Sequence, residues 1–449
     1  MSTDTRKVHI ISLGCSKNLV DSEVMGGLLS QSGLQLVSRR ELADIVIVNT
    51  CAFINPAKEE ALEEIMQLVY EKKEGSHHFS LVVAGCLAQR YGKQLLHEIP
   101  EVDLFIGTGE VGNIALHLSK LDSRKTKKAA IITKPDFLMT SQHPRVLSNT
   151  SVSTYLKISD GCSNRCTYCV IPSLRGKARS RQPDDILLEA ALLAKRGIKE
   201  IIITGQDTTA YGRDLPGHFQ LSDLLTDMAK IKGIKWIRLL YAHPTHTTAA
   251  MMKSIAASKK ICRYIDLPVQ HIDDDILKAM NRKVTGSHIR KIIAQAREIM
   301  PDVALRTSII VGFPGETQKR FDRMLDFIRE AKFDHLGVFP YSREEGTKAA
   351  LLSSRISEAE KERRRDVIMN EQAAISNKIN QGLIGSIQEV LIEGKSERSD
   401  YAYAGRCRRQ APEIDGVTYV KGKQAKTGSI LQCKIIAADD YDLFARVID

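Results

Sequence analysis

The sequence predicts three consecutive domains: an α/β domain with a parallel sheet, an incomplete (β/α)6 barrel, and a small β-barrel. Three observations support this fold class. Apolar strands alternate with helical patterns over residues 1–120, six further strand–helix units follow, and short β-rich segments end the chain. A length of 449 residues is sufficient for three domains that each bury a core. We place the domains at 1–120, 151–380 and 381–449, with a linker at 121–150.

The first domain is predicted from a strand–helix pattern that recurs along its sequence. Strands are expected at 8–15, 44–51, 79–86 and 102–106, and helices at 21–32, 56–72 and 87–98. Three of the strands end in a cysteine, at Cys15, Cys51 and Cys86. In a parallel sheet the carboxyl ends of strands meet at one edge, where ligands gather. We therefore expect a metal centre at this edge, although buried structural cysteines are common.

The second domain is predicted from a longer alternation of strands and helices. Strands are expected at 154–158, 200–204, 236–240, 264–267, 304–311 and 335–339, with helices between them, for example at 184–196 and 288–300. Six such units indicate an incomplete barrel whose chemistry lies at the carboxyl ends of the strands. The segment 121–150 lacks this pattern and is rich in Lys, Arg, Ser, Pro and Thr, which is typical of a linker.

Cys162, Cys166 and Cys169 follow the first strand of the predicted barrel as a C-x3-C-x2-C triplet. Three thiolates on one loop can hold a 4Fe–4S cluster, which normally takes four cysteines. The missing fourth ligand leaves one iron open, as in catalytic metal centres. A zinc knuckle or three unrelated thiols are the alternatives, but zinc sites usually add a second cysteine pair at a distance.

Other polar groups also lie at predicted strand ends. Gly205, Gln206 and Asp207 end one strand and Gly312 ends another, where glycine allows a ligand close to the backbone. His243 and His246 are either ligands or packing residues.

The basic residues of 175–181 either bind an anion at the barrel mouth or form a solvated loop. The charged run 361–365 is interpreted as the solvated face of a helix at 358–381. Cys262, Cys407 and Cys433 have no metal-like spacing.

The composition is that of a soluble protein without a signal peptide or a spanning helix, so we expect a cytoplasmic location. The formal charge of +11 favours an acidic partner such as RNA or a ribosome. Residues 384–449 carry 10 Lys and Arg against 10 Asp and Glu. The positive charge therefore lies elsewhere, whereas a domain that grips RNA phosphates is expected to be basic.

Together these motifs resemble the radical S-adenosylmethionine (SAM) enzymes and, among them, the methylthiotransferases. The resemblance covers nearly the whole chain: a three-cysteine N-terminal domain, a C-x3-C-x2-C barrel and a C-terminal TRAM-type β-barrel. The triplet alone is shared by a very large superfamily. The three-cysteine N-terminal domain is specific to methylthiotransferases.

Two branches of this family compete. One modifies an aspartate of small-subunit ribosomal protein twelve (RimO type), and the other modifies adenosine next to the tRNA anticodon (MiaB type). The segment 12–23, Ser-Leu-Gly-Cys-Ser-Lys-Asn-Leu-Val-Asp-Ser-Glu, is similar to the first branch, as are 264–271 and 411–416. Ser16 departs from the pattern, which usually has proline there. The neutral C-terminal segment agrees with a protein substrate.

The resemblance implies two 4Fe–4S clusters, one held by the triplet and one by the three strand-end cysteines. It implies two SAM molecules per turnover, an electron donor such as flavodoxin or ferredoxin, and no membrane. It also suggests SAM contacts at Tyr168, Gly205, Gln206, Asp207, Gln270 and Gly312. Two other classes stay open: a cluster-carrying redox protein, and an RNA-binding module with structural zinc.

Overall fold

The computed structural model describes residues 5–75, 77–121, 128–148, 152–217, 219–353, 355–422 and 425–448. Within these residues it contains a six-stranded parallel sheet, two three-stranded parallel sheets, a two-stranded antiparallel sheet and a closed five-stranded barrel. These sheets follow one another in the order that the sequence predicts, so the predicted fold class is confirmed. Of the predicted linker, residues 122–127 and 149–150 lie outside the described part of the chain.

The N-terminal domain is a six-stranded parallel sheet in the order β2-β1-β3-β4-β5-β6. Its strands and α-helices are β1 (Lys7–Ser12), α1 (Ser16–Gln31), β2 (Gln35–Leu36), β3 (Ile45–Thr50), α2 (Asn55–Glu74), β4 (Ser80–Gly85), α3 (Cys86–Glu98), β5 (Leu104–Ile106), α4 (Ile114–Ser119) and β6 (Ala129–Ile131). Every residue of the central strand β3 is buried, as expected for a strand with helices on both faces.

Two features of this domain differ from the sequence prediction. The first strand ends at Ser12 rather than at Cys15, because Gly14 adopts a φ of +87° that turns the chain into α1. Strand β6 lies inside the predicted linker and pairs with β5. It is only three residues long, too short to show a period in the sequence.

The central domain is a row of six parallel strands in chain order, divided into β7-β10-β11 and β12-β13-β14. Its strands and α-helices are β7 (Ser153–Lys157), β8 (Ser159–Asp160), α5 (Ile171–Arg175), β9 (Arg179–Ser180), α6 (Pro183–Lys195), β10 (Glu200–Thr204), α7 (Leu221–Met228), β11 (Trp236–Leu239), α8 (Ala249–Ala257), β12 (Tyr264–Asp266), α9 (Asp274–Ala279), α10 (Gly286–Ile299), β13 (Ala304–Val311), α11 (Gln318–Ala331), β14 (His335–Pro340) and α12 (Glu358–Gln381). This is the predicted incomplete barrel.

Helix α12 has the predicted bounds, but only part of its charged run is a solvated face. Lys361 and Arg364 are buried against the barrel. The Lys361 ammonium donates to the carbonyl of Tyr341 at 2.9 Å, and Arg364 pairs with Glu316 at 2.7 Å. The prediction was wrong for these two residues because sequence alone does not show which partner a long cationic side chain finds.

The C-terminal domain is a closed barrel in the order β15-β16-β17-β19-β18. Its strands are β15 (Ile387–Lys395), β16 (Tyr403–Cys407), β17 (Thr418–Lys421), β18 (Ile430–Ala438) and β19 (Leu443–Val447). The sequence predicts four of the five, from β-rich segments at 388–392, 418–420, 430–436 and 443–447. Strand β16 was missed because glycine and arginine interrupt its apolar pattern.

This barrel covers the amino ends of the central strands. Arg406 pairs at 2.6 Å with Glu200, the first residue of β10, and Arg238 holds the other oxygen of the same carboxylate at 2.9 Å. Nearby, the hydroxyl of Tyr264, the first residue of β12, donates to Asp415 at 2.7 Å. The C-terminal domain therefore closes one end of the central barrel and leaves the carboxyl ends of its strands to the N-terminal domain.

We expect Glu200→Gln to lower the free energy of unfolding by about 3–5 kcal/mol, because two buried guanidiniums then lose their shared carboxylate. Burial opposes ionisation of Glu200, but Arg406 and Arg238 lower its pKa to about 2. The stability it contributes is present above about pH 4.5 and lost as the pH falls toward 2. The measurement is urea unfolding followed by fluorescence of Trp236, the single tryptophan, which is buried and pairs with Glu200 across neighbouring strands.

The matched control is Glu330→Gln, since Glu330 is exposed in a surface pair with Arg290. Its effect should stay below about 0.5 kcal/mol. Equal urea midpoints for the two variants would contradict a stabilising role of the buried carboxylate.

Candidate active site

The cysteine triplet lies on a loop that is anchored to the barrel at both ends. The Cys162 amide donates to the carbonyl of Gly176 at 3.0 Å, and the Thr167 amide to that of Met280 at 3.0 Å. Gly161 has a φ of +77°, and a Cβ there would lie 2.2 Å from the carbonyl oxygen of Lys177, so this turn requires glycine. The loop is thus held at the carboxyl end of β7.

The three thiols of the triplet lie close enough to act on one another electrostatically. Burial, with a smaller contribution from Cys166, raises the pKa of Cys162 to about 11. Burial and Cys166 also raise the pKa of Cys169 to about 12. Cys162 and Cys169 therefore keep their protons at neutral pH unless a bound cation stabilises their thiolates.

The structure also brings the three strand-end cysteines together. Cys15 precedes α1, Cys51 follows β3 and Cys86 begins α3, and the strands that lead to them are neighbours in the sheet. Gly14 makes this approach possible, since a Cβ there would lie 2.5 Å from the Cβ of Cys51. Burial raises the pKa of Cys51 to about 12, and the charges of Cys15 and Cys86 add to the effect.

Cys15 has a different electrostatic environment from its two partners. Burial by itself would raise its pKa, but the charges of Lys17 and Arg175 and the backbone amides of Lys17 and Asn18 outweigh this, and the pKa is lowered. Burial raises the pKa of the Cys86 thiol, which Arg175 opposes. Two cations therefore face this second group of thiols.

All nine cysteines of the chain lie in its described part, and each group contains three of them without a fourth. Cys407 and Cys433 lie in the C-terminal barrel, and Cys262 precedes β12 at the amino end of the central barrel. All three are buried away from the two groups. The donor set of each group therefore fits a cluster or metal that keeps one position open for another ligand.

A buried ionic network connects the two thiol groups. Asp160, two residues before Cys162, accepts from Lys157 at 2.9 Å and from Arg175 at 3.4 Å. Asp21 of α1 pairs with the same two cations. All four charged residues are buried, so two cations and two carboxylates neutralise one another between the N-terminal domain and the barrel.

Residues 205–207, predicted as ligand contacts, lie beside the triplet loop. The Gln206 amide donates to Asp160 at 2.9 Å. Asp207 accepts from the amide of Asn164, inside the triplet loop, at 2.7 Å. A Cβ at Gly205 would lie 2.7 Å from the hydroxyl oxygen of Ser159, so a larger residue at this position would require the Ser159 side chain to move. These residues support the loop that carries the three cysteines.

His243 and His246 belong to the same polar cluster. His246 Nδ1 lies 2.8 Å from Asp207 Oδ2, and the three side chains place their ligand atoms within 4.8 Å of one another. Burial opposes the charge of Asp207, but the hydrogen bond from His246 and the nearby histidines lower its pKa to about 2. Burial and Arg282 lower the pKa of His243 to about 3, so it is neutral at pH 7.

The other predicted contacts have distinct environments. The Tyr168 hydroxyl accepts from Arg282 at 3.1 Å, and its ring meets Phe313 edge-on. Gln270 has a φ of +69° and bridges to β13 through its backbone. Gly312 has a φ of +74°, and the space beside it is filled by the Lys361 side chain.

The basic segment after the triplet combines structural and solvated residues. Arg175 and Arg181 are buried, and Arg181 pairs with Glu189 at 2.5 Å. Arg179 donates to the carbonyl of Pro135 at 2.5 Å, and Lys177 is exposed. Sequence reasoning missed Asp21, Lys157 and Asp160, because nothing in a single sequence distinguishes a buried carboxylate from a surface one.

No helix in the described ranges is both long and apolar enough to span a bilayer.

Three family models match the chain: the uncharacterized protein family UPF0004 at residues 7–107, the radical SAM superfamily at 156–328, and the TRAM domain at 384–448. Each match lies on one of the three domains described above.

Curated relatives match the chain over its whole length. A ribosomal protein uS12 methylthiotransferase RimO from Syntrophus aciditrophicus is 56% identical over 445 residues, which is 98% of each chain. One from Geobacter sulfurreducens is 46% identical over 448 residues, 100% of each chain. The chain belongs to the RimO family.

Solved structures share the fold of this RimO family member at low identity. The radical SAM methyltransferase TsrM from Kitasatospora setae, with cobalamin and a 4Fe–4S cluster bound, has a TM-score of 0.57 at 14% identity and covers 86% of this chain and 80% of that chain. The cobalamin-dependent SAM radical enzyme OxsB has a TM-score of 0.53 at 13% identity, covering 83% of this chain and 56% of that chain.

We expect Gly14→Ala to lower the iron bound after anaerobic reconstitution to about half, because the new Cβ collides with Cys51 and disturbs only one thiol group. The measurement is iron per chain together with the cluster absorption. Gly33→Ala is the matched control, since Gly33 has a φ of +85° and no atom within 4 Å of the added Cβ. It imposes the same backbone strain without the collision, so equal iron contents would refute this role of Gly14.

Proposed function

We propose that the chain methylthiolates the β-carbon of an aspartate in ribosomal protein uS12, with SAM and two 4Fe–4S clusters as cofactors. The observation that carries this proposal is the pair of three-thiol groups joined by one buried ionic network at the carboxyl end of the barrel. One cluster held by three cysteines is sufficient to cleave SAM. A reaction that also inserts sulfur needs a second such cluster.

In this proposal Cys162, Cys166 and Cys169 hold one cluster, and the other is held by Cys15, Cys51 and Cys86. When bound, the first cluster would supply the electron that cleaves SAM to methionine and a 5′-deoxyadenosyl radical, and the second would carry the sulfur that is methylated and transferred after hydrogen abstraction from the substrate. The protein positions the reactants and excludes water.

The SAM site is proposed to be lined by residues that surround the triplet. Gly205, Gln206 and Asp207 are tied to this loop through Asp160 and Asn164. Tyr168 lies within the loop, and Gln270 occupies the corresponding end of the other half-barrel. The assignment of Gly312 as a SAM contact stays a sequence prediction.

The N-terminal domain covers the reacting end of the barrel. The hydroxyl of Ser16 lies 3.1 Å from that of Thr204, the last residue of β10. Ser16 is the position where the family pattern usually has proline, and here its hydroxyl links the Cys15 loop to the barrel. Such a cover limits access of water to a reactive radical.

The choice of uS12 over tRNA is supported by the relatives, which are uS12 methylthiotransferases at 44–56% identity. The neutral C-terminal segment agrees with a protein substrate. For the electron we propose a small donor such as flavodoxin or ferredoxin. We place the reaction in the cytoplasm, where ribosomal proteins are assembled.

Cys166→Ala should abolish SAM cleavage, and Cys51→Ala should spare cleavage but block sulfur insertion. Each substitution removes one ligand from one group only, so the wild type should bind about eight irons and each variant about four. The measurements are iron content, 5′-deoxyadenosine by chromatography, and the mass of uS12.

Cys433→Ala is the control, because this buried thiol lies in the C-terminal barrel, and iron and activity should be retained. Normal methylthiolation by Cys51→Ala would refute the two-cluster proposal. Iron without SAM cleavage in the wild type would indicate a cluster carrier, and zinc in place of iron an RNA-binding module.

A deletion strain tests the substrate. We expect uS12 from this strain to lack the methylthio mass increment on its aspartate, while tRNA retains its methylthioadenosine. Mass spectrometry of both molecules is the measurement, and complementation with the wild-type chain is the control. Loss of the tRNA modification with an intact uS12 would assign the chain to the tRNA branch.

A further inference from the structure

A positively charged surface lies at the amino ends of three neighbouring strands of the central barrel. The segments that lead into β10, β11 and β12 are 195–199, 229–235 and 258–263. Together they contain nine lysines and arginines and no aspartate or glutamate. The formal charge of the whole chain is +11, so these three segments account for most of its excess of cations. We refer to their lysines and arginines as the basic surface.

The three segments touch one another, so their charges form one surface. The amide of Lys235 donates to the carbonyl of Lys199 at 2.8 Å, which joins the second segment to the first. The ammonium of Lys260 donates to the carbonyl of Ile231 at 2.6 Å, which joins the third segment to the second. The basic surface is therefore continuous across three loops of the barrel.

Most cations of the basic surface have no carboxylate to neutralise them. Lys230 pairs with an aspartate of its own helix and Arg263 with one before β13, both at 2.7 Å. None of the other seven has an Asp or Glu oxygen of the described residues within 4.0 Å. The exposed lysines among these seven are Lys195, Lys232, Lys235 and Lys259. Their charges are available to an anion from outside the chain.

Helix ends do not account for this concentration of charge. Cations in the last turn of a helix stabilise it through the helix dipole, and Lys195 has this position in α6. Helices α7 and α8 have no basic residue in their last turns. The cations of the second and third segments thus lie beyond the helix ends, where the dipole gives no reason for them.

The charge is also specific to this part of the barrel. The corresponding segments before β13 and β14, 300–303 and 332–334, contain one basic and two acidic residues. At the carboxyl ends of β10, β11 and β12, the segments 205–220, 240–248 and 267–273 contain one arginine and three aspartates. The same three strands therefore have a basic end and an end without excess positive charge.

The partner that fits the basic surface is a nucleic acid. A single acidic side chain is satisfied by one cation, whereas unpaired cations on three adjacent segments match phosphates spaced along a backbone. The proposed substrate, uS12, is a ribosomal protein, and in the small ribosomal subunit it is surrounded by RNA. RNA is thus the polyanion that this chain meets beside its substrate.

We propose that the basic surface binds ribosomal RNA beside uS12, so that the assembled small subunit is the form of the substrate that the chain captures. This inference rests on the proposed function. The five residues of β10 separate the basic surface from the candidate active site by about 17 Å, so bound RNA leaves that site open. A ribosomal subunit is large enough to contact both ends of the barrel. A small electron donor bound at the basic surface would be held away from both thiol groups.

The test compares binding of the reconstituted chain to small ribosomal subunits from the deletion strain and to free uS12. A combined variant, Lys195→Gln with Lys235→Gln and Lys259→Gln, removes one exposed charge from each segment. Its affinity for subunits should fall by about tenfold or more, while its affinity for free uS12 should be unchanged. The slope of log affinity against log salt should decrease by about two to three, because each lost phosphate contact contributes about 0.9. The measurement is sedimentation at salt concentrations between about 50 and 200 mM.

The matched control combines Lys93→Gln, Lys291→Gln and Lys319→Gln. These lysines are exposed on α3, α10 and α11, and the control loses the same total charge. It should bind subunits as the wild type does. An equal loss of affinity in the two combined variants would overturn the proposal, because net charge alone would then explain the binding.

Unchanged subunit affinity and salt slope in the first variant would also overturn the proposal. So would a loss of flavodoxin binding with subunit binding retained, which would make the basic surface a donor site. These results would leave the proposed function intact, since the deletion strain tests methylthiolation of uS12 separately. If the combined variant binds less iron than the wild type, Lys235→Glu alone replaces it in the same comparison, with the same deciding outcomes.

Discussion

The arrangement of this molecule depends on one buried ionic network: Asp21 and Asp160 shared between Lys157 and Arg175. Charges removed from water are tolerated only when every member has its partners, so this network admits few alternative geometries. Asp21 belongs to the helix that begins next to Cys15, and Asp160 precedes Cys162. The network therefore sets how the two thiol groups are placed relative to each other.

The central barrel has a different cover at each end. At the amino ends, Glu200 is clamped by Arg238 and by Arg406 of the C-terminal barrel, which gives this contact a structural role. At the carboxyl ends, the Cys15 loop contacts Thr204 and Tyr241. The candidate active site thus lies at one end of the central barrel, and the C-terminal barrel lies at the other.

Much of the fold follows from hydrophobic periodicity. Strands β10 and β13 and helix α12 have the bounds expected from the sequence, because their apolar residues recur over several turns or strand repeats. The short strand β6 and the interrupted strand β16 have too few apolar residues to show a period. The thiol groups were predictable because strand-end placement in a parallel sheet follows from connectivity. Their supporting charges were not, since Lys157 and Arg175 both pair with Asp21, which lies more than one hundred residues away in the chain.

The sequence by itself determined how the thiols are grouped: two sets of three cysteines, one set local and one at successive strand ends. Covalent spacing and parallel topology are sufficient for that grouping, and the role of the thiols as cluster ligands is our proposal. Only the tertiary structure decided which charged side chains surround the thiols and how each of them is paired. Arg175 is neutralised by carboxylates from two domains, whereas the charge of Lys17 faces the Cys15 thiol and the Tyr241 ring. The physical reason is that desolvation and pairing depend on contacts between segments more than one hundred residues apart, which local sequence does not encode.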